Sequence, residues 1–276
     1  MCKICEDKKQ LVETSAERNA QVASDLAIQM KLETPFAKDI RRLLNQIITD
    51  YEVFYSTTGQ SPNLQPYRDD LTAILRSHYR KTNKKFKNNI TGSLEQTEEV
   101  KQLENAVSMA MAGYITQQSI TQANLINRTT QNDLNDITRQ VITNASLEGE
   151  RLSNSETATQ VKKQYKKQVP ARADTIAMTE INNVSETSKQ TEASIIGASS
   201  LIIGGVTVKN SMQKTWNTIL DSKTRTSHAR ADGQTIDVNQ TFLVGGEPLR
   251  YPSDSRGSAG NIINCRCSLT YGLRTP

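Results

Sequence analysis

Histidine and cysteine are few in this chain of 276, two and four, and half of them lie after residue 227. Cys265, Cys267, His228 and the only tryptophan, Trp216, all lie after residue 215, with Asp232 and Asp254 between them. The Cys265-Arg266-Cys267 spacing puts both thiols on one face if the segment is a strand. With His228 brought near by the fold, three ligands for a soft metal are present, and Asp232 or Asp254 could supply a fourth for tetrahedral zinc. The competing structural reading has both thiols packed in a core and His228 hydrogen-bonded to a carboxylate such as Asp254. A catalytic reading would use Cys265 or Cys267 as nucleophile, His228 as base and Asp232 or Asp254 as orienter. No nucleophile motif surrounds either cysteine, so the chain is expected not to be an enzyme.

The elements that must position these groups are mostly helical. Hydrophobic content is 36%, aromatic content 5% and mean hydropathy −0.58, which is lean for a compact core of this length. Long amphipathic helices that bury a narrow stripe, within the chain or against partner subunits, produce such a composition. Helical spacing is visible in Ile40, Leu43, Leu44, Ile47, Ile48 and Tyr51, with Pro35 expected to divide two helices. Another helix is expected from Pro66 towards Lys85. Ser93 with Gln96, and Ser153 with Glu156, read as capping boxes opening two more. Pro170 is expected to end one of these, with a new helix from Arg172 to about Gly197.

After Gly204-Gly205 the texture becomes strand-like. Val206 and Val208 are expected to form a hairpin with Met212 and Trp216, followed by a short helix from Thr224 to Ala231. A long loop should run from Gly245 to Gly260, and a closing strand from Ile262 to Tyr271. The fold class is therefore mainly α with a small C-terminal α+β module, its long N-terminal helices partly extended. The expected boundaries are residues 1–92, 93–203 and 204–276.

Net charge is +5 and the isoelectric point about 8.9. Arg76, Arg80, Lys81, Lys84, Lys85 and Lys87 crowd one stretch, interleaved with Tyr79 and Phe86. Lys162, Lys163, Lys166 and Lys167 surround Tyr165 in a second. Either patch suits a polyanion such as double-stranded DNA, an acidic protein surface, or simply solvent. His78 reads as a surface residue of the first.

The N-terminus is too charged for a secretory signal, and the apolar run from Ala193 to Val206 is shorter than the roughly 20 residues needed to span a bilayer. Synthesis in a cytosol, with reduced thiols and no membrane partner, is the expectation. Cys2 and Cys5, near the chain start, read as free thiols or as a remote second half of a zinc site.

As a string of ordered motifs, the second half says more. Arg172-Ala173-Asp174 through Thr179-Glu180, Lys214-Thr215-Trp216, Ser227-His228, Ala231-Asp232-Gly233, Gly245-Gly246-Glu247-Pro248-Leu249, Tyr251-Pro252-Ser253-Asp254 and Asn264-Cys265-Arg266-Cys267 occur in sequence. Over about residues 155–272 this resembles the phage head morphogenesis family, the minor head proteins similar to protein F of bacteriophage Mu. The resemblance implies a virion component of a tailed phage, made in the host bacterial cytoplasm. It would act at the portal vertex or head interior beside portal, major capsid or scaffold proteins, with packaged DNA as a further contact. A phage-delivered effector and a DNA-binding accessory protein are the alternatives. Three positions depart from the family pattern: Arg225 and His228 stand where many relatives carry a Cys-x-x-Cys pair, and Asp254 where they carry a histidine. Arg225 and Arg266 could then pair with Asp232 and Asp254, making the cluster an ion-pair knot rather than a metal site.

Overall fold

A computed structural model of the chain describes residues 15–203, 206–207, 209 and 211–274. Four long helices dominate: α1 (Ser15–Thr58), α2 (Arg68–Phe86), α3 (Glu98–Leu147) and α4 (Asn154–Ala198). A small α+β module follows, as the change in texture after Gly204 implies. It contains β1 (Ile202–Ile203), β2 (Val206–Thr207), β3 (Met212–Asn217), α5 (Thr226–Ala231), β4 (Thr235–Asp237), β5 (Phe242–Val244), β6 (Glu247–Leu249), α6 (Ala259–Ile262) and β7 (Ser268–Leu273).

Two expected breaks are absent. Pro35 lies inside α1 and Pro170 inside α4. A proline removes one ladder hydrogen bond and crowds the preceding turn. At both sites the helix continues because its flanking residues are anchored: Phe36 and Ile40 after the first proline, Val169 and Ala173 around the second, are all buried. The start of α3 also differs. Ser93 belongs to a 3-10 turn (Thr91–Ser93), and Thr97 is the actual cap, its hydroxyl accepting the Val100 amide at 3.2 Å. The second capping box forms as read, with Glu156 N–H to Ser153 Oγ at 3.2 Å and Ser153 N–H to Glu156 Oε2 at 2.8 Å.

Contacts divide the chain into two units. One comprises Glu33–Tyr79 and Ile115–Ala177. Its apolar stripe holds Phe36, Ile40, Leu44, Leu75, Val161 and Tyr165, all nearly or fully buried at helical spacing. His78, expected on the surface, is only 2% exposed: it stacks on Phe36 at 4.5 Å and meets Asp39 Oδ2 through Nε2 at 2.9 Å. Arg172 joins α4 to α3 by reaching Asp133 at 2.6 Å and the Thr129 and Thr130 hydroxyls.

Among the described residues, the other unit comprises those up to Leu32, Arg80–Tyr114, and those from Met178 onward. Its sheet has the order β4-β3-β7, all antiparallel, with Trp216 opposite Leu269. Trp216, Phe242, Val244, Leu249 and Tyr251 form an apolar core with Ile196 and Ala193 of α4. The expected β2–β3 hairpin does not occur, because β2 pairs with β1, and β3 takes β4 and β7 as neighbours. At the start of the expected long loop, β6 pairs back on β5 in a tight hairpin closed by Gly245 and Gly246 at φ +60° and +84°. Both turn positions need the left-handed region, which glycine enters without strain.

One polar stretch of α4 is fully enclosed. Every residue from 179 to 190 is buried. A helical stretch that is mostly polar yet buried all round must satisfy its side chains internally.

Candidate functional site

His228 sits in the middle of the short helix α5, with Ala231 one turn on, and both face inward. Its ring lies perpendicular to Trp216 at 5.8 Å, and Trp216 in turn meets Phe242 at 5.3 Å. Cys265 and Cys267 occupy the irregular segment just before β7, not the strand itself. The period-2 argument for them therefore fails, yet the outcome survives: local turns, including Asn264 at φ +57°, aim both sulfurs inward. His228 Nδ1 is 3.6 Å from Cys265 Sγ and 3.4 Å from Cys267 Sγ. The three donor groups lie within 4.8 Å of one another, with exposures of 2%, 1% and 4%.

The two thiols titrate as a pair. The hydrogen bond from Cys267, reinforced by His228, favours the Cys265 thiolate and pulls it below the usual thiol range against the effect of burial. Cys267 is pushed up, by its bond to Cys265 first and by burial second. One negative charge is accommodated and a second is strongly opposed.

The acids go elsewhere. Asp254 is fully buried and gripped by Arg250 and Arg256, each at 2.9 Å. Burial alone would raise its pKa, but hydrogen bonds from Arg250 and Arg256 outweigh this and hold the carboxyl well below its ordinary range. It is therefore a hub for its own loop and not a ligand, orienter or partner of His228. Asp232 accepts the Thr218 amide at 2.7 Å, and the Arg225 guanidinium donates to the Ile263 carbonyl. The anticipated pairing of Arg225 with these acids gives way to these contacts, because Arg250 and Arg256 lie closer along the chain to Asp254. His228 Nε2 is buried without a hydrogen-bond partner among the described residues, so the imidazole has no orienting carboxylate. Cys2 and Cys5 lie outside the described residues.

What the sequence reading missed is the role of α4. Asn182 donates from Nδ2 to Ser253 Oγ at 2.9 Å and to the Cys265 carbonyl at 2.8 Å. Asn183 donates to the Ser253 carbonyl at 2.6 Å, and Thr179 Oγ1 accepts the Asn264 amide at 3.1 Å. Nearly two turns further, Lys189 reaches Asp25 and Ser268 at 2.7 Å and Glu186 at 2.8 Å, with Glu186 also accepting the Leu269 amide. The Pro252-Ser253-Asp254 and Asn264-Cys265 motifs are thus where the tail docks on a polar helix. The only signal in advance was a run of Asn, Ser, Thr and Glu at helical spacing with Ile181 and Val184.

The basic clusters sit on helices. Arg80, Lys81, Lys84 and Lys85 are exposed on α2, while the interleaved Tyr79 and Phe86 are buried core residues. They are not stacking platforms for bases, which corrects that part of the nucleic-acid reading. Arg76 and Lys87 are partly covered, and Lys87 donates to Ser108. In the second cluster Lys162 pairs with Glu52, while Lys163, Lys166 and Lys167 face solvent and Tyr165 is buried.

With this geometry in place, comparison with known proteins bears on it directly. Residues 135–270 match the family described as Phage Mu protein F like protein. Over those residues, just under half of its length, the chain is similar to the phage head morphogenesis family. The matched span takes in the end of α3, all of α4 and the C-terminal module, so it includes both the polar helix and the segments docked on it. The chain is also similar to the minor head protein GP7 of Bacillus phage SPP1, 36% identical over 64 residues. That overlap covers 23% of this chain and 20% of the relative's length. No solved structure matches. Among the described residues, no helix is long and apolar enough to cross a membrane.

Proposed function

We propose that this chain is a minor head protein of a tailed phage, made in the host cytoplasm and incorporated into the virion at the portal vertex during procapsid assembly. The observation that carries the reading is the family match over residues 135–270, which coincides with the α4 docking helix and the module bound to it. The related protein from phage SPP1, itself named a minor head protein, supports the same assignment. The portal protein, with capsid or scaffold subunits, is the partner class, and the structural role requires no catalytic group.

The exposed cations of α2 support a secondary contact with packaged double-stranded DNA. Arg80, Lys81, Lys84 and Lys85 occupy little more than one turn and a half of one helix, a spacing that addresses a phosphate backbone without base readout.

Deleting the coding sequence in a phage that carries it should give defective or non-infectious heads. The full chain should copurify with portal rings and be found in mature particles. Normal heads and a protein absent from particles would remove the assignment. DNA binding is tested separately: affinity should fall steeply as salt rises, and replacing Lys81, Lys84 and Lys85 with Gln should reduce the slope of log K against log salt by about 2–3.

A further inference from the structure

The imidazole of His228 is nearly fully enclosed, and its Nδ1 faces two sulfurs at nearly equal distance, 3.6 and 3.4 Å. A neutral imidazole has one lone pair, so a single thiol proton can satisfy only one of these contacts. A metal ion satisfies both. An ion with bonds of about 2.3 Å to sulfur and about 2.0–2.1 Å to nitrogen, in tetrahedral geometry, places its nitrogen–sulfur edges at about 3.5–3.6 Å. The two observed separations bracket that value.

The three donors also come from the right places. α5 supplies the nitrogen, and the segment before β7 supplies both sulfurs, 37 and 39 positions further on. That segment has no ladder of its own there, and its backbone is fixed chiefly by Asn182 and Thr179. A shared ion would tie α5 to it directly. Trp216, itself packed on Phe242, covers the imidazole with apolar surface, which favours thiolate–metal bonds over hydration.

We propose that His228 Nδ1, Cys265 Sγ and Cys267 Sγ hold one thiophilic divalent ion of the zinc class as a structural cross-link, with Asp232 and Asp254 taking no part. The fourth position is filled by solvent. Its source is the neighbouring cavity of about 500 Å³ lined by Thr218 and Asp232, since the Thr218 hydroxyl lies 3.6 Å from Cys267 Sγ. This assignment stands independently of the role in head assembly.

The test uses the full-length protein, purified with thiols reduced and without chelator, and its metal content is measured by mass spectrometry. About one zinc per chain is expected in the parent and in a Cys2→Ser, Cys5→Ser variant, with at least a tenfold loss in Cys265→Ser, Cys267→Ser. Should the latter variant fail to fold, cobalt exchanged into the parent should show tetrahedral visible bands with near-ultraviolet sulfur-to-cobalt charge transfer. A parent protein without metal at micromolar zinc, a cobalt spectrum lacking the charge-transfer band, or metal lost on replacing Cys2 and Cys5 would each overturn the proposal.

Discussion

Lys189 and Asp25, 164 positions apart, meet at 2.7 Å with almost no access to solvent on either side. Glu186 shares the same ammonium at 2.8 Å. Two acids are therefore enclosed around one ammonium, and the first described helix, α4 and β7 all converge on it.

Removing that ammonium strands two acids in a dry environment. Lys189→Ala should cost about 3–5 kcal/mol of unfolding free energy, read from urea denaturation. Lys189→Met combined with Glu186→Gln and Asp25→Asn should recover much of the loss. A single Lys189→Ala variant as stable as the parent would show that the cluster carries no stabilising charge.

Stability should dip near neutral pH. Burial raises the Glu186 pKa from 4.5 to about 7, and raises Glu192 to about 6 despite hydrogen bonds from Thr91 and Ile90. Between about pH 4.5 and 7 the native state holds protons the unfolded chain has released, so these groups lower stability as pH rises. Lys214 runs the other way: burial, with repulsion from Arg250, lowers its pKa to about 7. From pH 7 towards 10.5 the unfolded chain binds the extra proton, and stability climbs. Urea midpoints measured across this range should show the minimum, and Glu186→Gln should flatten the acid limb. An acid limb identical in parent and variant would remove Glu186 from the account.

Asn182→Ala should destabilise by about 2–3 kcal/mol, because it leaves the Cys265 carbonyl and the Gln29 amide without their buried partner. Limited proteolysis is the sharper readout. Cleavage should appear first between residues 253 and 267, where the tail loses its grip on α4. Cleavage confined to other segments would contradict this docking role.

Gly257→Ala is a packing test. An added methyl would lie 2.8 Å from Leu249 Cδ2 and 2.9 Å from Ile262 Cγ2, both inside van der Waals contact. A loss of about 1–3 kcal/mol is expected, seen as a lower thermal midpoint. An unchanged midpoint would mean that the loop shifts freely around Asp254.

The helical content was legible because Ile40, Leu44, Ile47 and Tyr51 repeat at helical spacing, and the stripe they predict is buried. Pro35 and Pro170 misled because a proline's local penalty says nothing about the anchoring on either side. The cluster residues His228, Cys265 and Cys267 were legible by chemical type, and the structure brings them together. Their acidic companions were misassigned. Arg250 and Arg256 flank Asp254 within four residues, whereas the residue types alone point to His228, Arg225 or Arg266 as its partner. The burial of 179–190 was invisible because hydropathy patterns register apolar faces. A polar helix satisfied by distant backbone groups has no periodic signature.

That enclosed stretch of α4 inverts the usual map of mutational tolerance. A saturation library across residues 179–190 should be depleted as severely at its serines, asparagines and threonines as at Ile181 and Val184. Efforts to harden such proteins by greasing their interiors should leave this helix alone, since exchanging Thr179, Asn182, Asn183 or Gln190 would orphan a main-chain group of the module.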